Sequence, residues 1–182
     1  MWTVRSVLKE TLRRIKRFLP LLSKEERFSF CPVDPGKLYR SAQPDKKTLS
    51  YFIKKYRLRS VIVLTEHYDR QEKELVQSMG LIFTHIPLRT EMPPDDEQAN
   101  SFLFFLSNSG NLPALVHCIQ GRDRTGCLCF LYRVEQMGWS TEMAYHEMRN
   151  LGFESLPKHI RTQRYIKGWL EKRYGIKFSL YG

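Results

Sequence analysis

The sequence predicts a single α/β domain with a central, mostly parallel twisted sheet flanked by helices. Three observations predict this fold class. Segments with strand character alternate with helical segments, as they do when helices cover a parallel sheet. The run Ser60–Leu64 is apolar and β-branched, which is typical of a parallel strand buried on both faces. The chain has 182 residues, close to the usual size of one domain and enough to bury a core.

Apolar periodicity and turn residues locate the predicted elements in order. Strands are predicted over 38–41, 60–64, 81–86 and 114–117. Helices are predicted over 45–57, 69–79, 98–108, 124–137, 141–150 and 157–173. Asp45 is a good N-cap for the first of these helices, and Gly80 ends the second. The stretches 23–37 and 89–96 contain prolines and few apolar residues, so both are predicted to be loops.

The first 22 residues differ from the rest of the chain in charge. The formal net charge is +11, from 30 Lys+Arg and 19 Asp+Glu, and residues 1–22 supply +5 of it. Apolar residues recur there at helical period, with most basic residues on the opposite face. The pattern predicts a basic amphipathic helix over 1–22, ahead of a globular domain over 23–182. Such a helix suits an anionic membrane; the alternatives are packing on the domain or a frayed terminus.

The cysteine pattern and the hydropathy indicate the cellular location that we expect for the protein. The four cysteines fit neither a zinc site nor a disulfide framework, so we expect a reducing, cytoplasmic location, with peripheral membrane contact through residues 1–22 as the alternative. No stretch has the ~18 consecutive apolar residues of a membrane span, and charges interrupt the start too often for a secretory signal. Because no nucleic-acid-binding motif accompanies the positive charge, we expect phosphorylated substrates and not nucleic acid as partners.

One segment combines a strand, a tight loop and a helix start. From His117 it reads His-Cys-Ile-Gln-Gly-Arg-Asp-Arg-Thr-Gly, which is Cys-x5-Arg with a preceding His and a following Thr-Gly. A loop of this length can curl so that its backbone N–H groups point inward and, with the helix dipole, bind a dianion. The predicted phosphate-binding residues are Ile119, Gln120, Gly121, Arg122, Asp123 and Arg124.

Each remaining part of this segment has its own predicted role. The field that binds a dianion also favours a thiolate, so Cys118 is predicted to be the ionised nucleophile. Arg124 presents a fork that matches two phosphate oxygens. Thr125 is placed to donate a hydrogen bond to the sulfur, and His117 to fix the loop from behind. The alternative is that Cys118 is a buried structural cysteine, but the flanking residues and the strand–loop–helix context favour the nucleophile.

The chemistry that these residues predict is phosphomonoester hydrolysis in two displacements. Cys118 attacks phosphorus and forms a phosphocysteine while a carboxylic acid protonates the leaving oxygen, and water then hydrolyses the intermediate. No metal ion or other cofactor is expected, because the loop amides and Arg124 neutralise the equatorial oxygens. The alternative from a different class is an inactive phosphate-binding module, against which the intact Cys118 and Arg124 argue.

At these residues the sequence resembles the cysteine-based protein tyrosine phosphatase superfamily, whose signature is His-Cys-x5-Arg-Ser/Thr. It is most similar to the compact dual-specificity phosphatases of bacteria, plants and fungi, and it also resembles the related tyrosine-phosphatase-like phytases. The segments Leu38–Pro44, Ser60–Leu64 and His85–Leu88 are similar to strands of that branch, and the likeness covers about residues 36–170. The resemblance implies a dual-specificity-phosphatase-like α/β fold.

The resemblance also implies a general acid on the loop over 89–97. Family members often place Asp where this chain has Thr90, so the adjacent Glu91 is the first candidate. Asp123 is an alternative, because Gly-x-Asp-Arg-Thr resembles myotubularin-type phosphatases, whose loop Asp is proposed to be the acid; its other interpretation is a carboxylate paired with a basic neighbour. Asp95-Asp96 is a third candidate, although an N-cap of the next helix also accounts for it.

Three substrate classes stay open at this stage. They are soluble inositol polyphosphates, phosphotyrosine or phosphoserine/threonine in proteins, and phosphoinositide headgroups at a membrane, where residues 1–22 would hold the enzyme. Additional phosphates would need additional positive charge near the loop. The candidates for it are Arg89, Arg122, Lys158 and Arg161. Their alternative is solvated surface, where most Lys and Arg lie.

Overall fold

The fold is a five-stranded sheet covered by helices on both faces. A computed structural model describes residues 22–153 and 159–177. The strands are β1 (Cys31–Asp34), β2 (Leu38–Ala42), β3 (Ser60–Val63), β4 (Ile82–His85) and β5 (Ala114–Cys118). The helices are α1 (Lys24–Arg27), α2 (Lys46–Tyr56), α3 (Arg70–Ser78), α4 (Asp96–Ser107), α5 (Asp123–Glu135), α6 (Thr141–Asn150) and α7 (Ile160–Tyr174). The predicted N-terminal helix lies outside the described residues.

The sheet has the order β1-β2-β5-β3-β4, and its pairs are parallel except for the antiparallel β1–β2 pair. The predicted α/β class with a mostly parallel sheet is therefore confirmed. The central strand β5 is buried along its whole length between β2 and β3. The nucleophile predicted from the sequence thus ends the central strand of the sheet, which is buried throughout.

Alternate residues of the central strands enter two apolar clusters. Val61 and Val63 pack on the α2 and α3 side, whereas Ile62 and Val116 pack on the side of α4, α5, α6 and α7. This is the period-2 alternation of a pleated strand with both faces covered. Each such fully buried aliphatic side chain contributes roughly 1.5–3 kcal/mol. The two clusters hold the carboxyl end of β5, and hence Cys118, in a fixed position.

The predicted loop over 23–37 is wrong in part, because it contains α1 and β1. Ser23 and Glu26 form a capping box that starts α1. Strand β1 pairs with β2 at the edge of the sheet despite Pro32. An edge strand tolerates proline because one side of it needs no N–H donor. Tertiary pairing here overrides the turn-forming composition on which the loop prediction relied.

Helix starts follow the capping residues closely. Asp45 accepts a hydrogen bond from the Thr48 N–H and caps α2 as predicted. Helix α4 begins at Asp96, two positions before the predicted start, because Asp95 and Gln98 form a capping box.

Within the described residues, no helix is both long and apolar enough to cross a membrane.

A buried arginine ties α5 to its neighbours. Arg133 is 3% exposed, and its Nη1 donates to the Val33 carbonyl oxygen of β1 over 2.6 Å. Its guanidinium also forms a two-bond ion pair with Glu147 of α6 and stacks on the Trp139 ring. This arginine therefore has both a counter-ion and a carbonyl acceptor, as a buried cation normally requires.

Candidate active site

The residues between β5 and α5 form a curled loop around the Cys118 sulfur. Cys118 is 2% exposed, and the Gly121 N–H donates to its Sγ over 3.2 Å. We call residues 118–124 the phosphate loop. With Thr90 and Glu91 it lines a cavity of about 280 Å³, to which Cys118, Ile119, Gln120, Asp123 and Arg124 contribute. The sequence motif thus forms one concave site beside the Cys118 thiol.

Glycine is required at position 121 for two independent reasons. Its φ is +68°, in the left-handed region that other residues rarely adopt. A Cβ there would also lie 2.4 Å from the Ser41 carbonyl oxygen and 2.7 Å from the Ala42 nitrogen. The phosphate loop therefore packs directly on the end of β2, with no room for a side chain between them.

Arg124 is half-buried and lines the cavity beside Cys118. Its Nη1 donates to the Leu88 carbonyl oxygen over 3.2 Å, which ties the guanidinium to the segment after β4. A guanidinium has five N–H donors, so this bond leaves donors for phosphate oxygens. Arg124 thereby connects the phosphate loop to the loop that carries Glu91.

His117 and Glu72 form a buried pair behind the phosphate loop. His117 is fully buried, and its Nε2 lies 2.7 Å from Oε1 of Glu72 on α3, which is only 4% exposed. The other ring nitrogen lies 3.4 Å from the Cys118 carbonyl oxygen. The sequence argument predicted His117 as a support and missed Glu72. The sequence feature that could have identified Glu72 is its position one helical turn before Val76, which places its carboxylate on the buried face of α3.

Thr125 lies in the first turn of α5, where its hydroxyl is buried. Among the described residues Oγ1 has no hydrogen-bond partner, so the predicted bond from Thr125 to the sulfur is not formed. The Cys118 sulfur accepts instead from the Gly121 N–H.

The candidate acids on the loop after β4 lie in different surroundings. Glu91 is exposed, has φ +62°, and lines the cavity with Cys118; a bond from the Met92 N–H to the Arg89 carbonyl oxygen closes the turn around it. The Asp95 carboxylate caps α4 by accepting from the Gln98 N–H over 2.7 Å.

Asp96, the neighbour of this cap, pairs with Lys172. Of these carboxylates, Glu91 is the one that shares the cavity with the thiol.

Asp123 also lines the cavity and is paired with a histidine. Its Oδ1 lies 3.2 Å from Nδ1 of His159, which is 6% exposed and packs edge-on against Phe153. Within the described part of the chain, His159 Nε2 is buried without a partner. The interpretation of Asp123 as a carboxylate with a basic neighbour therefore has a geometric basis, and no sequence signal pointed to His159.

The other predicted basic residues that the structure describes lie in different surroundings, and none of them lines the cavity. Arg122 is exposed and lies along Gly152, where a Cβ would come within 3.0 Å of its Cδ. Arg161 contacts Met92 Sδ over 3.0 Å, beside the turn that carries Glu91. Arg89 faces Glu66 with a 3.9 Å separation.

Lys158 lies outside the described residues. In the described part, no group of three or more His, Cys, Asp and Glu residues is arranged to hold a metal ion.

Comparison with known proteins shows the family to which the chain belongs. The sequence profile described as “Tyrosine phosphatase family” matches residues 26–172, which is most of the chain. The chain belongs to the tyrosine phosphatase family. The resemblance to cysteine-based phosphatases that the signature predicted is thereby confirmed.

Curated relatives of this family member come from yeast, plants and bacteria. It is 28% identical over 123 residues to inositol diphosphatase SIW14 of Saccharomyces cerevisiae, covering 65% of this chain and 43% of that protein. Identity to inositol diphosphatase DSP4 of Arabidopsis thaliana is 30% over 144 residues, or 76% of this chain and 70% of the relative. Identity to dual specificity protein phosphatase TpbA of Pseudomonas aeruginosa is 25% over 131 residues, covering 72% and 58%. The chain thus spans less than two thirds of the yeast and bacterial relatives.

Solved structures share the fold. The core catalytic domain of the PP-IP phosphatase SIW14 from S. cerevisiae, solved with citrate, has a TM-score of 0.64 and 26% identity, covering 79% of this chain and 91% of that chain. TpbA of P. aeruginosa has a TM-score of 0.65 and 24% identity, covering 79% and 86%, and at this identity it supports the fold alone. The predicted dual-specificity-phosphatase-like architecture is confirmed.

Proposed function

We propose that this protein is a cysteine-dependent phosphatase that hydrolyses phosphoric monoesters and the phosphoanhydride of a diphosphate group, and that Cys118 is its nucleophile. The observation that carries the proposal is the shared cavity: the Cys118 thiol, the Arg124 guanidinium and the phosphate loop line one space of about 280 Å³. A phosphoryl group bound there would meet loop N–H groups and a guanidinium, both of which stabilise negative charge. Membership of the tyrosine phosphatase family supports the same chemistry.

The proposed reaction has two displacements. The Cys118 thiolate attacks phosphorus, an S–P bond forms, and the P–O bond to the leaving group breaks as that oxygen takes a proton from a carboxylic acid. Water then attacks the phosphocysteine, the S–P bond breaks, and the carboxylate accepts the proton of the water. Inorganic phosphate leaves and the thiolate is restored. Because the loop amides and Arg124 supply the positive charge at the equatorial oxygens, the proposed mechanism uses no metal ion or other cofactor.

We assign the acid to Glu91 in this proposal. Glu91 is exposed and shares the cavity with Cys118, whereas the Asp95 carboxylate is engaged as a helix cap. Asp123 is the second candidate, because it also lines the cavity. Its Oδ1 is already engaged with Nδ1 of His159 over 3.2 Å, whereas the Glu91 carboxylate is exposed in the cavity.

The proposed substrates are inositol polyphosphates, including those with a diphosphate group. Two curated relatives are named inositol diphosphatases, and the chain carries a net charge of +11, which attracts polyanions. When a diphosphate is cleaved, the leaving oxygen belongs to a phosphate, which is a much weaker base than an alkoxide. Such a substrate needs less help from an acid, which fits Thr90 at the position where the family often has Asp.

The second candidate substrate is a phosphoprotein. It is favoured by the likeness to TpbA, which is named a dual specificity protein phosphatase. A direct test compares diphosphoinositol pentakisphosphate, inositol hexakisphosphate and a phosphotyrosine peptide at several salt concentrations, with Cys118→Ser as the inactive control. The proposal expects the highest kcat/KM for diphosphoinositol pentakisphosphate, the most highly charged of the three, and its steepest loss with salt. A peptide preference at every salt concentration would contradict the substrate assignment.

A membrane role and a cytoplasmic location remain predictions. The segment that would contact an anionic membrane, residues 1–22, lies almost entirely outside the described residues. The proposal that it holds a lipid phosphatase on its substrate is tested by co-sedimentation of the full chain, and of the chain without residues 1–22, with phosphatidylserine vesicles. Equal, weak sedimentation of the two proteins would contradict it.

A further inference from the structure

Arg40 is a buried cation directly behind the phosphate loop. It lies on β2 opposite Val116, is 2% exposed, and its Nη2 donates to the Gly121 carbonyl oxygen over 2.5 Å. Within the described residues it forms no ion pair, and its Nη1 has no hydrogen-bond partner. A guanidinium so buried without a counter-ion is costly. Arg133, which is buried to the same degree, differs because it pairs with Glu147.

The geometry at Gly121 suggests what the uncompensated cation does. The Gly121 N–H donates to the Cys118 sulfur, and the Gly121 carbonyl accepts from Arg40. The peptide from Gly121 to Arg122 is trans. In a trans peptide the carbonyl and the next N–H point in opposite directions. The Arg122 N–H is therefore directed away from the buried guanidinium, and it meets no acceptor in the described part of the chain.

We propose that Arg40 is a positioning residue of the phosphate loop. Its guanidinium holds the Gly121 carbonyl back, so that the Arg122 N–H faces the bound phosphoryl group. In this proposal its charge is balanced by the Cys118 thiolate and the phosphate dianion on the other side of the phosphate loop. The inference rests on the proposed cysteine chemistry, and it adds a cation that touches neither substrate nor sulfur.

The other charged groups near Cys118 and Arg40 are the same residues in the wild type and in the Arg40 variants. On the cavity side they are Glu91, Arg124 and the Asp123–His159 pair. Behind the loop lies the Glu72–His117 pair. On the far side of Arg40, burial raises the pKa of the Cys31 and Cys129 thiols, which keeps both neutral. The Arg133–Glu147 ion pair also acts on these two thiols, and its two charges offset each other. A change in the behaviour of Cys118 in an Arg40 variant therefore reports on Arg40.

The test compares Arg40→Met with Arg133→Met, which removes an equally buried arginine away from the loop. Four quantities are measured: kcat and KM for p-nitrophenyl phosphate, inhibition by orthovanadate, the pH midpoint for Cys118 alkylation by iodoacetamide, and the thermal midpoint. In Arg40→Met we expect kcat to fall roughly 100-fold, vanadate inhibition to weaken about tenfold, and the alkylation midpoint to rise by about one pH unit. Arg133→Met is expected to lower the thermal midpoint alone.

Arg40→Gln keeps a hydrogen-bond donor and removes the charge. If Arg40→Met does not fold, this second variant tests whether Arg40 positions the phosphate loop. We expect it to raise the alkylation midpoint and to weaken vanadate inhibition. An Arg40 variant that folds and matches Arg133→Met in kcat, vanadate inhibition and alkylation overturns the inference. If the wild-type protein shows no turnover and no alkylation at Cys118, the cysteine chemistry itself is contradicted, which is a different outcome.

Discussion

At the residue scale, the environment of each thiol separates Cys118 from the other buried cysteines. Burial among apolar side chains raises the pKa of Cys129 to about 12 and raises that of Cys127 as well. Cys118 is equally buried, but its sulfur accepts a hydrogen bond from the Gly121 N–H and faces a cavity that contains Arg124. The same residue type is therefore inert in α5 and suited to nucleophilic attack at the end of β5.

The general acid is tested by leaving-group dependence. Glu91→Gln is expected to lower kcat on the order of 100-fold for a substrate with an alkoxide leaving group, because the departing oxygen then lacks a proton donor. With p-nitrophenyl phosphate, whose phenoxide leaves readily, the same change should have little effect. Steady-state kinetics on both substrates measure the difference.

Asp123→Asn is the matched control, because Asp123 lines the same cavity. We expect it to affect both substrates to a similar, small extent. The Glu91 assignment is contradicted when Asp123→Asn produces the leaving-group dependence and Glu91→Gln does not.

Gly121→Ala and Gly80→Ala separate backbone strain from a steric clash. Both glycines have positive φ, +68° and +73°, but a Cβ at Gly121 meets the β2 backbone at 2.4 Å, whereas at Gly80 nothing lies within 4 Å. Gly80→Ala should cost only about 1–2 kcal/mol of unfolding free energy, with activity retained. Gly121→Ala should cost more and also lower kcat, because the phosphate loop must shift away from β2.

Urea unfolding and kinetics on the two purified variants measure both effects. Equal losses of stability with equal, wild-type activity would show that the loop has room at this position.

How much of the site was predictable depends on how its residues are spaced in the sequence. Cys118, Gly121 and Arg124 are contiguous enough to form a recognisable motif, and the structure brings them around one cavity. Arg40 and His159 come from other elements and reach the loop only through the sheet register and the packing of α7. No local pattern distinguishes such residues from surface cations before the fold is known.

At the element scale, the start of the described chain is held by an ion-pair cluster between α1 and α2. The Lys55 ammonium, with help from Tyr51 and Tyr56, lowers the pKa of Glu25 from 4.5 to about 2. A carboxyl group whose pKa is lower in the folded state stabilises the fold above its unfolded pKa. That contribution is lost as the pH falls from about 4.5 towards 2.

Lys55→Met should therefore lower the thermal midpoint at pH 6 and have a much smaller effect near pH 2. Lys47→Met, a change at an exposed lysine of the same helix, is the control and should show no such pH dependence. Calorimetry at both pH values measures the difference. An effect of Lys55→Met that is constant with pH would contradict the role of this pair.

Elements with a clear local sequence pattern could be predicted, whereas a strand that forms only by pairing with a neighbouring strand could not. The buried run of β3 and the capped start of α2 follow from local sequence. Strand β1 forms because it pairs with the edge of β2. Pro32 is unfavourable inside a strand, so the local sequence does not predict this one. Helix α4 begins earlier than predicted because a capping box depends on side-chain hydrogen bonds, which the apolar periodicity of a helix does not report.

At the scale of the whole molecule, the sheet positions the chemistry. Strand β5 is buried between β2 and β3, and its carboxyl end delivers Cys118 to the start of α5. The loop after β4 brings Glu91 to the same edge of the sheet, and β2 brings Arg40 beneath it. Ligand sites of parallel α/β sheets commonly lie at this edge. Three strands and one helix thus contribute to the proposed phosphate site.

The central claim is that phosphate is transferred to the Cys118 sulfur, and rapid-quench mass spectrometry tests it most directly. The enzyme is mixed with excess p-nitrophenyl phosphate, quenched within one turnover and digested. We predict a mass increase of one phosphoryl group on the peptide that contains Cys118, absent from Cys118→Ser and decaying as inorganic phosphate is released. Full turnover by Cys118→Ser, or a phosphoryl group found only on another residue, would contradict the account.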